Sequence, residues 1–241
     1  MRIMALGLVA LMSTLSPPGT EAAEAPLAPF VAEYDVRYGR MAVGSSRTEL
    51  SRAAPPGRWI IESRSTATGI ARVIASGTLK QRSTFDVDAA ALRPQSYSFD
   101  DGTDRTNRDV MLEFDWGNGR VRGTAEDEPV ELPVIPGLQD AASMQALVLA
   151  RLRTGTEPGT VSMIEKDKIK HYRFTFLRRE TLKTGIGEFE TVVYRSARDG
   201  SDRETISWYA PKLGFTVVQA EQRSAGKRGF QTYIRKFQPA G

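Results

Sequence analysis

The chain has 241 residues, 33 Lys plus Arg against 29 Asp plus Glu, a formal charge of +4, and 40% hydrophobic residues. It holds no cysteine and one histidine, His171, which excludes disulfide frameworks, thiolate metal sites, thiol nucleophiles and multi-histidine metal centres. The near balance of charge speaks against a nucleic-acid partner, and the only long apolar run is N-terminal, so no transmembrane segment is expected in the mature chain.

Arg2 precedes an apolar stretch from Ile3 to Met12 that continues to Leu15 before the breaker Pro17-Pro18-Gly19. This charged, then apolar, then helix-breaking order is that of a secretory signal, and Thr20-Glu21-Ala22 places small residues where cleavage requires them. Residues 1–22 are therefore expected to be a signal peptide, with one β-rich domain over 26–241. No cysteine follows the apolar run to take a lipid anchor, so the expected compartment is the periplasm of a Gram-negative bacterium.

Period-two alternation dominates the mature chain. Phe30, Ala32, Tyr34, Val36 and Tyr38 share one face of a strand and Glu33, Asp35 and Arg37 the other. The pattern recurs around Leu79–Val87, Val110–Trp116, Tyr172–Phe176, Phe189–Val193, Ile206–Trp208 and Phe230–Ile234, and predicts about ten to twelve antiparallel strands with one buried face each. Asn118-Gly119 marks a hairpin, with further turns at Gly39-Arg40, Asp199-Gly200 and Gly226-Lys227. One good helix is expected over 141–153: Asp140 caps it, Ala141, Met144, Leu147, Val148 and Leu152 form its apolar face, Arg151 and Arg153 suit its C-terminus and Gly155 ends it. A second short helix is expected over 68–75.

One helix cannot cover the apolar faces of ten or more strands, so the sheet must curl and cover itself. The fold class is mainly β: a strongly curved antiparallel sheet, half-barrel or open barrel, with the helix at its mouth or on its concave face.

Chemistry is sparse. His171 stands among Lys168, Lys170 and Arg173, and no G-x-S-x-G elbow accompanies it. Asp100, Asp101, Asp104 and Asp109 form the densest acidic cluster, in a turn-like segment whose spacing does not fit a calcium loop. Phosphate-cradling loops are absent, so no cofactor and no metal are implied. The 25 arginines and 8 lysines are interspersed with acids; a basic groove through Arg58, Arg64, Arg72 and Arg82 competes with solvated outer strand faces. If the curled sheet leaves a cavity, Tyr34, Tyr38, Trp59, Phe85, Phe114, Trp116, Phe174 and Trp208, with Phe99 and Phe189, are the candidates to line it. A filled core needs the same residues, and alternation does not separate the two.

Several stretches carry a family resemblance: Phe30-Val31-Ala32-Glu33-Tyr34-Asp35-Val36-Arg37-Tyr38-Gly39 with Val43-Gly44, Leu92-Arg93-Pro94-Gln95-Ser96-Tyr97, Phe114-Asp115-Trp116, Leu138-Gln139-Asp140, and Trp208-Tyr209-Ala210-Pro211-Lys212-Leu213-Gly214-Phe215. In order and spacing they resemble an uncharacterised family of exported bacterial proteins known only as domain of unknown function three-one-zero-eight. The departure is at Phe215-Thr216-Val217, where such proteins often carry a proline after the glycine-aromatic pair. The resemblance implies a β-rich envelope protein and supplies no activity or functional residue. At fold level it is also similar to half-barrel carriers of the lipoprotein-localisation type, which shelter an acyl chain under a helical lid; that likeness is analogy.

The expected function is non-enzymatic binding or carriage of an apolar ligand, a lipid or acyl chain, inside the curved sheet. The alternatives are an envelope scaffold with a filled core that binds another protein and, third, a hydrolase using the acids near Asp100.

Overall fold

A computed structural model of the chain describes residues 26–69, 77–88 and 91–240. The expected signal peptide and nearly all of the expected second helix lie outside the described residues. The first eight strands are β1 (Phe30–Tyr38), β2 (Met41–Ala53), β3 (Arg58–Ala67), β4 (Thr78–Val87), β5 (Leu92–Asp100), β6 (Val110–Asp115), β7 (Arg120–Ala125) and β8 (Glu128–Pro133). Helix α1 (Ser143–Arg153) comes next, then β9 (Thr160–Glu165), β10 (Lys168–Thr184), β11 (Gly187–Arg198), β12 (Arg203–Ala210), β13 (Thr216–Ser224) and β14 (Lys227–Pro239). Fourteen strands are described where about ten to twelve were expected.

All fourteen join one antiparallel sheet in the order β8-β7-β6-β5-β4-β3-β2-β1-β14-β13-β12-β11-β10-β9. The first and last strands of the chain pair with each other, Phe30 opposite Pro239 and Tyr38 opposite Phe230, so the free edges are β8 and β9. These edges do not pair. The segment after β8 instead ties β9 to β5: Gln139 N–H donates to Ser162 O (2.9 Å), Ile164 N–H donates to Gln139 O (2.9 Å), and the Gln139 Nε2 amide donates to Leu92 O on β5 (3.0 Å). Lys166 and Glu126 add an ion pair across the same seam at 2.8 Å. The result is an open barrel in which Gln139 occupies part of the β9 edge that would otherwise invite another chain.

The curvature follows from one-sided burial. On β1, Phe30, Ala32 and Tyr34 are buried while Val31 and Glu33 are only half-buried. The outer face carries ion-pair rungs: Glu33 with Arg235 (3.0 Å) and Arg47 (3.7 Å), Glu62 with Arg82 (2.9 Å), and Lys80 with Asp100 (3.6 Å). Exposed pairs of this kind are each worth ~0–1 kcal/mol, so they keep the surface wet and do little to hold the fold.

Helix α1 lies against the concave face, with Ala146, Val148, Leu149 and Leu152 buried. It starts two residues later than the expected 141, with Ala142 at the N-cap, and Ala146 and Leu149 are buried where Ala141, Met144 and Leu147 are half-buried, but Asp140 still serves its entry. Asp140 Oδ1 accepts the N–H of Ala142 (2.8 Å) and Ser143 (2.7 Å), and Ser143 Oγ accepts the Asp140 N–H (3.0 Å), a reciprocal arrangement that satisfies donors at the helix entry. Asp140 Oδ2 accepts a hydrogen bond from Ser83 Oγ on β4 (2.6 Å), which pins the helix start to the sheet. Gly155, at φ 72°, ends the helix in the left-handed region as the sequence suggests.

Candidate functional site

Between α1 and the inner faces of β1–β4 and β10–β14 lies a cavity of about 440 Å³. Its apolar lining comes from Phe30, Tyr34 and Ile61 of the sheet, Met144, Val148 and Leu149 of the helix, and Phe174 and Tyr209 of the far wall. Most of the remaining wall is small and hydroxyl-bearing: Ser46, Thr48, Ser63, Ser196, Thr205, Ser207, Thr216 and Thr232, with Gln81, Gln145 and Gln222, and with Ala141, Tyr172, Val217 and Ala220 between them. No charged residue is among the described lining residues, in a chain where 26% are charged.

Three of the hydroxyls on β2 and β3 are paired within the sheet. Thr48 and Ser63 stand opposite each other on β2 and β3 with their oxygens 2.9 Å apart, and Ser65 Oγ donates to Ser46 Oγ one rung along (3.0 Å). The Tyr34 hydroxyl donates across the barrel to Val217 O (3.0 Å), and burial alone pushes its pKa up, so it stays protonated. One lining oxygen is different: Thr216 is 1% exposed and its Oγ1 has no hydrogen-bond partner.

Beside the cavity, Asp140 is wholly buried, and desolvation raises its carboxyl to about 6 despite the hydrogen bonds from Ser83, Ser143 and Ala142. Tyr97 is raised too, first by burial and then by the charge of Asp140. Both serve the junction of helix and sheet and neither lines the cavity.

The eight aromatic residues singled out from the sequence separate into four groups. Tyr34 and Phe174 line the cavity. Trp59, Phe85 and Phe114 are buried in the core, and half-buried Trp116 packs at its margin, its Nε1–H donating to Pro94 O (2.6 Å). Phe99 and Phe189 also belong to the packed interior. Trp208 alternates with Ser207 and Tyr209 and so faces away from the cavity, where it donates through Nε1 to Glu180 of β10 while Arg178 stacks over its ring at 6.0 Å. Tyr38 lies on the cavity side of β1 but beyond the cavity, half exposed. The lining residues that the sequence pattern does not reveal are the serines and threonines, whose only signal is their own period-two spacing, as in Ser46 and Thr48 or Thr205 and Ser207.

The remaining candidates lie apart from the cavity. Asp100, Asp101 and Asp109 bring carboxylate oxygens within 4.8 Å of one another. Asp101 Oδ1 is occupied by the Thr103 N–H (2.9 Å) and Oγ1 (2.6 Å), Asp100 Oδ1 by the Gly102 N–H (2.7 Å), and Lys80 and Arg108 lie alongside. These bonds build a turn. Its glycine, Gly102, approaches the β4 backbone so closely that a Cβ would stand 2.5 Å from Thr78 N, and Gly77 meets Gly102 as tightly. His171 is exposed, with Nδ1 3.0 Å from Ser162 Oγ. Of the suggested basic groove, Arg58 pairs with Asp86 and Arg64 and Arg82 share Glu62, while Arg72 lies outside the described residues. Among the described residues no helix is long and apolar enough to cross a membrane.

The architecture is similar to that of a β-barrel-like protein of domain of unknown function DUF1849 from Brucella abortus, with a TM-score of 0.56 at 10% identity over 89% of this chain and 99% of that one. Weaker likenesses at 10% identity are a protein from Bacteroides fragilis described as exported, with a YmcC-like fold (TM-score 0.41, 88% of this chain and 96% of that one), and one from Parabacteroides distasonis described as a lipoprotein (TM-score 0.38, with the same coverage). No curated protein matches the sequence. The family model for proteins of unknown function DUF3108 matches residues 33–226, and the chain belongs to that family.

Proposed function

We propose that the protein binds or carries an uncharged, largely apolar ligand, a lipid acyl chain, in the cavity beneath α1. The observation that carries this reading is the exclusion of charge from a cavity of about 440 Å³, within the ~300–1,000 Å³ range of small-molecule sites. An alkyl chain gains ~0.8 kcal/mol per methylene removed from water, so ten methylenes supply roughly 8 kcal/mol before the cost of association, enough for reversible binding without a charged anchor. Thr48 with Ser63 and Ser46 with Ser65 share hydrogen bonds within the wall, which lowers the cost of laying an alkyl chain against that part of it. Met144, an unbranched and flexible side chain, adjusts to chains of different shape. The N-terminal signal pattern supports a setting in the bacterial envelope.

Native mass spectrometry of the protein purified from a periplasmic extract, followed by lipid extraction, tests the proposal. The expected result is a co-purifying lipid, or saturable binding of an apolar dye. Neither lipid nor dye binding would remove the carrier reading in favour of an envelope scaffold, which the ring-filled interior around Phe85 and Phe114 suits.

A further inference from the structure

The strands that wall the cavity do not stop at its mouth. On β14, Phe230, Thr232 and Ile234 alternate on the inner face, and on β1, Tyr34, Val36 and Tyr38 do the same in register with them. Thr232 and Tyr34 line the cavity, so Tyr38 and Phe230 stand beyond it on the same face, and Met41 opposes Tyr38 across the β1–β2 hairpin. These three side chains are 50%, 51% and 62% exposed for Tyr38, Phe230 and Met41 respectively, and the two rings touch edge to face at 5.2 Å. Half of the six large apolar side chains exposed among the described residues thus gather on one lip.

Within the two hairpins that carry the lip the tips bear cations, while the adjoining β11–β12 turn brings one carboxylate alongside, Asp202, which accepts from Ser224 Oγ (3.2 Å). Arg37 and Arg40 flank the β1–β2 turn, Lys227 and Arg228 the β13–β14 turn, and no Asp or Glu occurs from Val36 to Thr48 or from Gln222 to Gly241. Arg228 pairs with Glu221 (3.2 Å) and Arg37 stacks over Tyr233 (5.2 Å). Arg40 and Lys227, at the tips, have no ion pair among the described residues. An aromatic and methionine lip of three side chains is too small for a stable protein interface, which takes ~800 Å² per partner. A tyrosine and a phenylalanine flanked by cations instead match the boundary between lipid headgroups and acyl chains, where amphipathic rings settle and basic side chains meet phosphate.

We infer that the lip formed by Tyr38, Met41 and Phe230, with Arg40 and Lys227, docks on the surface of an anionic lipid bilayer and holds the cavity mouth against it. This surface stands on its own residues and does not depend on what fills the cavity.

The test is flotation of the exported chain with vesicles of phosphatidylethanolamine and phosphatidylglycerol, against vesicles of phosphatidylcholine alone. Binding is expected to the anionic vesicles only and to weaken with salt. Each cation removed should weaken it roughly fivefold, so Arg40→Gln with Lys227→Gln should weaken it roughly 25-fold. The matching pair Arg179→Gln with Lys183→Gln, exposed on β10, should leave it unchanged and cancels any contribution of the N-terminus. Tyr38→Ser with Phe230→Ser, at sites already half exposed, should reduce it at least tenfold with an unchanged circular dichroism spectrum. Equal flotation with both vesicle types, no flotation with either, or a lip variant no weaker than the β10 control would overturn the inference. So would capture of the lip by a protein with no bilayer present.

Discussion

The two walls of the barrel share a backbone plan and differ in what they point inward. Strands β4–β8 present Phe85, Leu92, Tyr97, Leu112, Phe114 and Val121, all buried in one core cluster with helix α1. Strands β10–β14 with β2 present Ser46, Thr48, Ser196, Thr205, Ser207 and Thr232, and there the interior is open. β3 makes the change within a single strand, from Trp59 and Ile61 to Ser63. Side-chain volume, not strand geometry, decides where this barrel is solid and where it is hollow, because the helix lies close to one wall and small residues leave the space to the other.

Substitutions that move volume across this divide break the comparison most strongly. Phe85→Ala empties a wholly buried site in the solid wall and is expected to cost ~3–5 kcal/mol in urea denaturation. Ser207→Leu adds more atoms than most core sites would accept, yet it points into open space and should cost under ~1.5 kcal/mol. A large penalty for Ser207→Leu would mean that the second wall is as tightly packed as the first.

The next largest effect belongs to the junction between the walls. Asp140 has its ordinary carboxyl value near 3.8 in the unfolded chain and about 6 when folded, a difference of roughly 3 kcal/mol at most. Because the folded value is raised, the folded state holds the proton longer. Stability on this account is greatest below 3.8, falls as pH rises toward 6, and is level above it. Asp140→Asn keeps an oxygen for the Ala142 and Ser143 N–H groups and a partner for Ser83 Oγ, so it should abolish the slope and be at least as stable as the parent at neutral pH. Asp140→Ala leaves those groups unpaired and should cost ~1–3 kcal/mol. Denaturation followed across this pH range decides it, and a slope that survives in Asp140→Asn would refute the assignment.

The smallest effect sharpens the hollow wall. Thr216→Val removes a buried hydroxyl that has no partner and should stabilise the protein by ~1 kcal/mol in thermal unfolding. Loss of stability would show that the hydroxyl is satisfied in solution.

The solid wall is the legible one. Alternation of rings and aliphatics around Val110–Trp116 marks β6, though the strand ends at Asp115 and the four-residue turn 116–119 takes Trp116. The one α-helix among the described residues, its Asp140 entry and its Gly155 exit follow from residue type. The strand β2 is harder to read, because its inner positions Ser46 and Thr48 carry no hydrophobic signal; the residues that make the cavity are those that erase the pattern. For the same reason the pattern nominates rings as lining. Trp59, Phe85 and Phe114 do face inward, but their size fills the space they were expected to border, and Trp208 sits on the face covered by Glu180 and Arg178.

The central claim is that the cavity beneath α1 receives an apolar chain. Titration of a fluorescent acyl probe into the parent protein and into Ala220→Trp, which places an indole beside Ser207 on the hollow wall, tests it most directly. Saturable binding by the parent, reduced at least tenfold in a variant that unfolds at a similar temperature, is the expected result. Equal binding by the two proteins, or none by the parent, would contradict it.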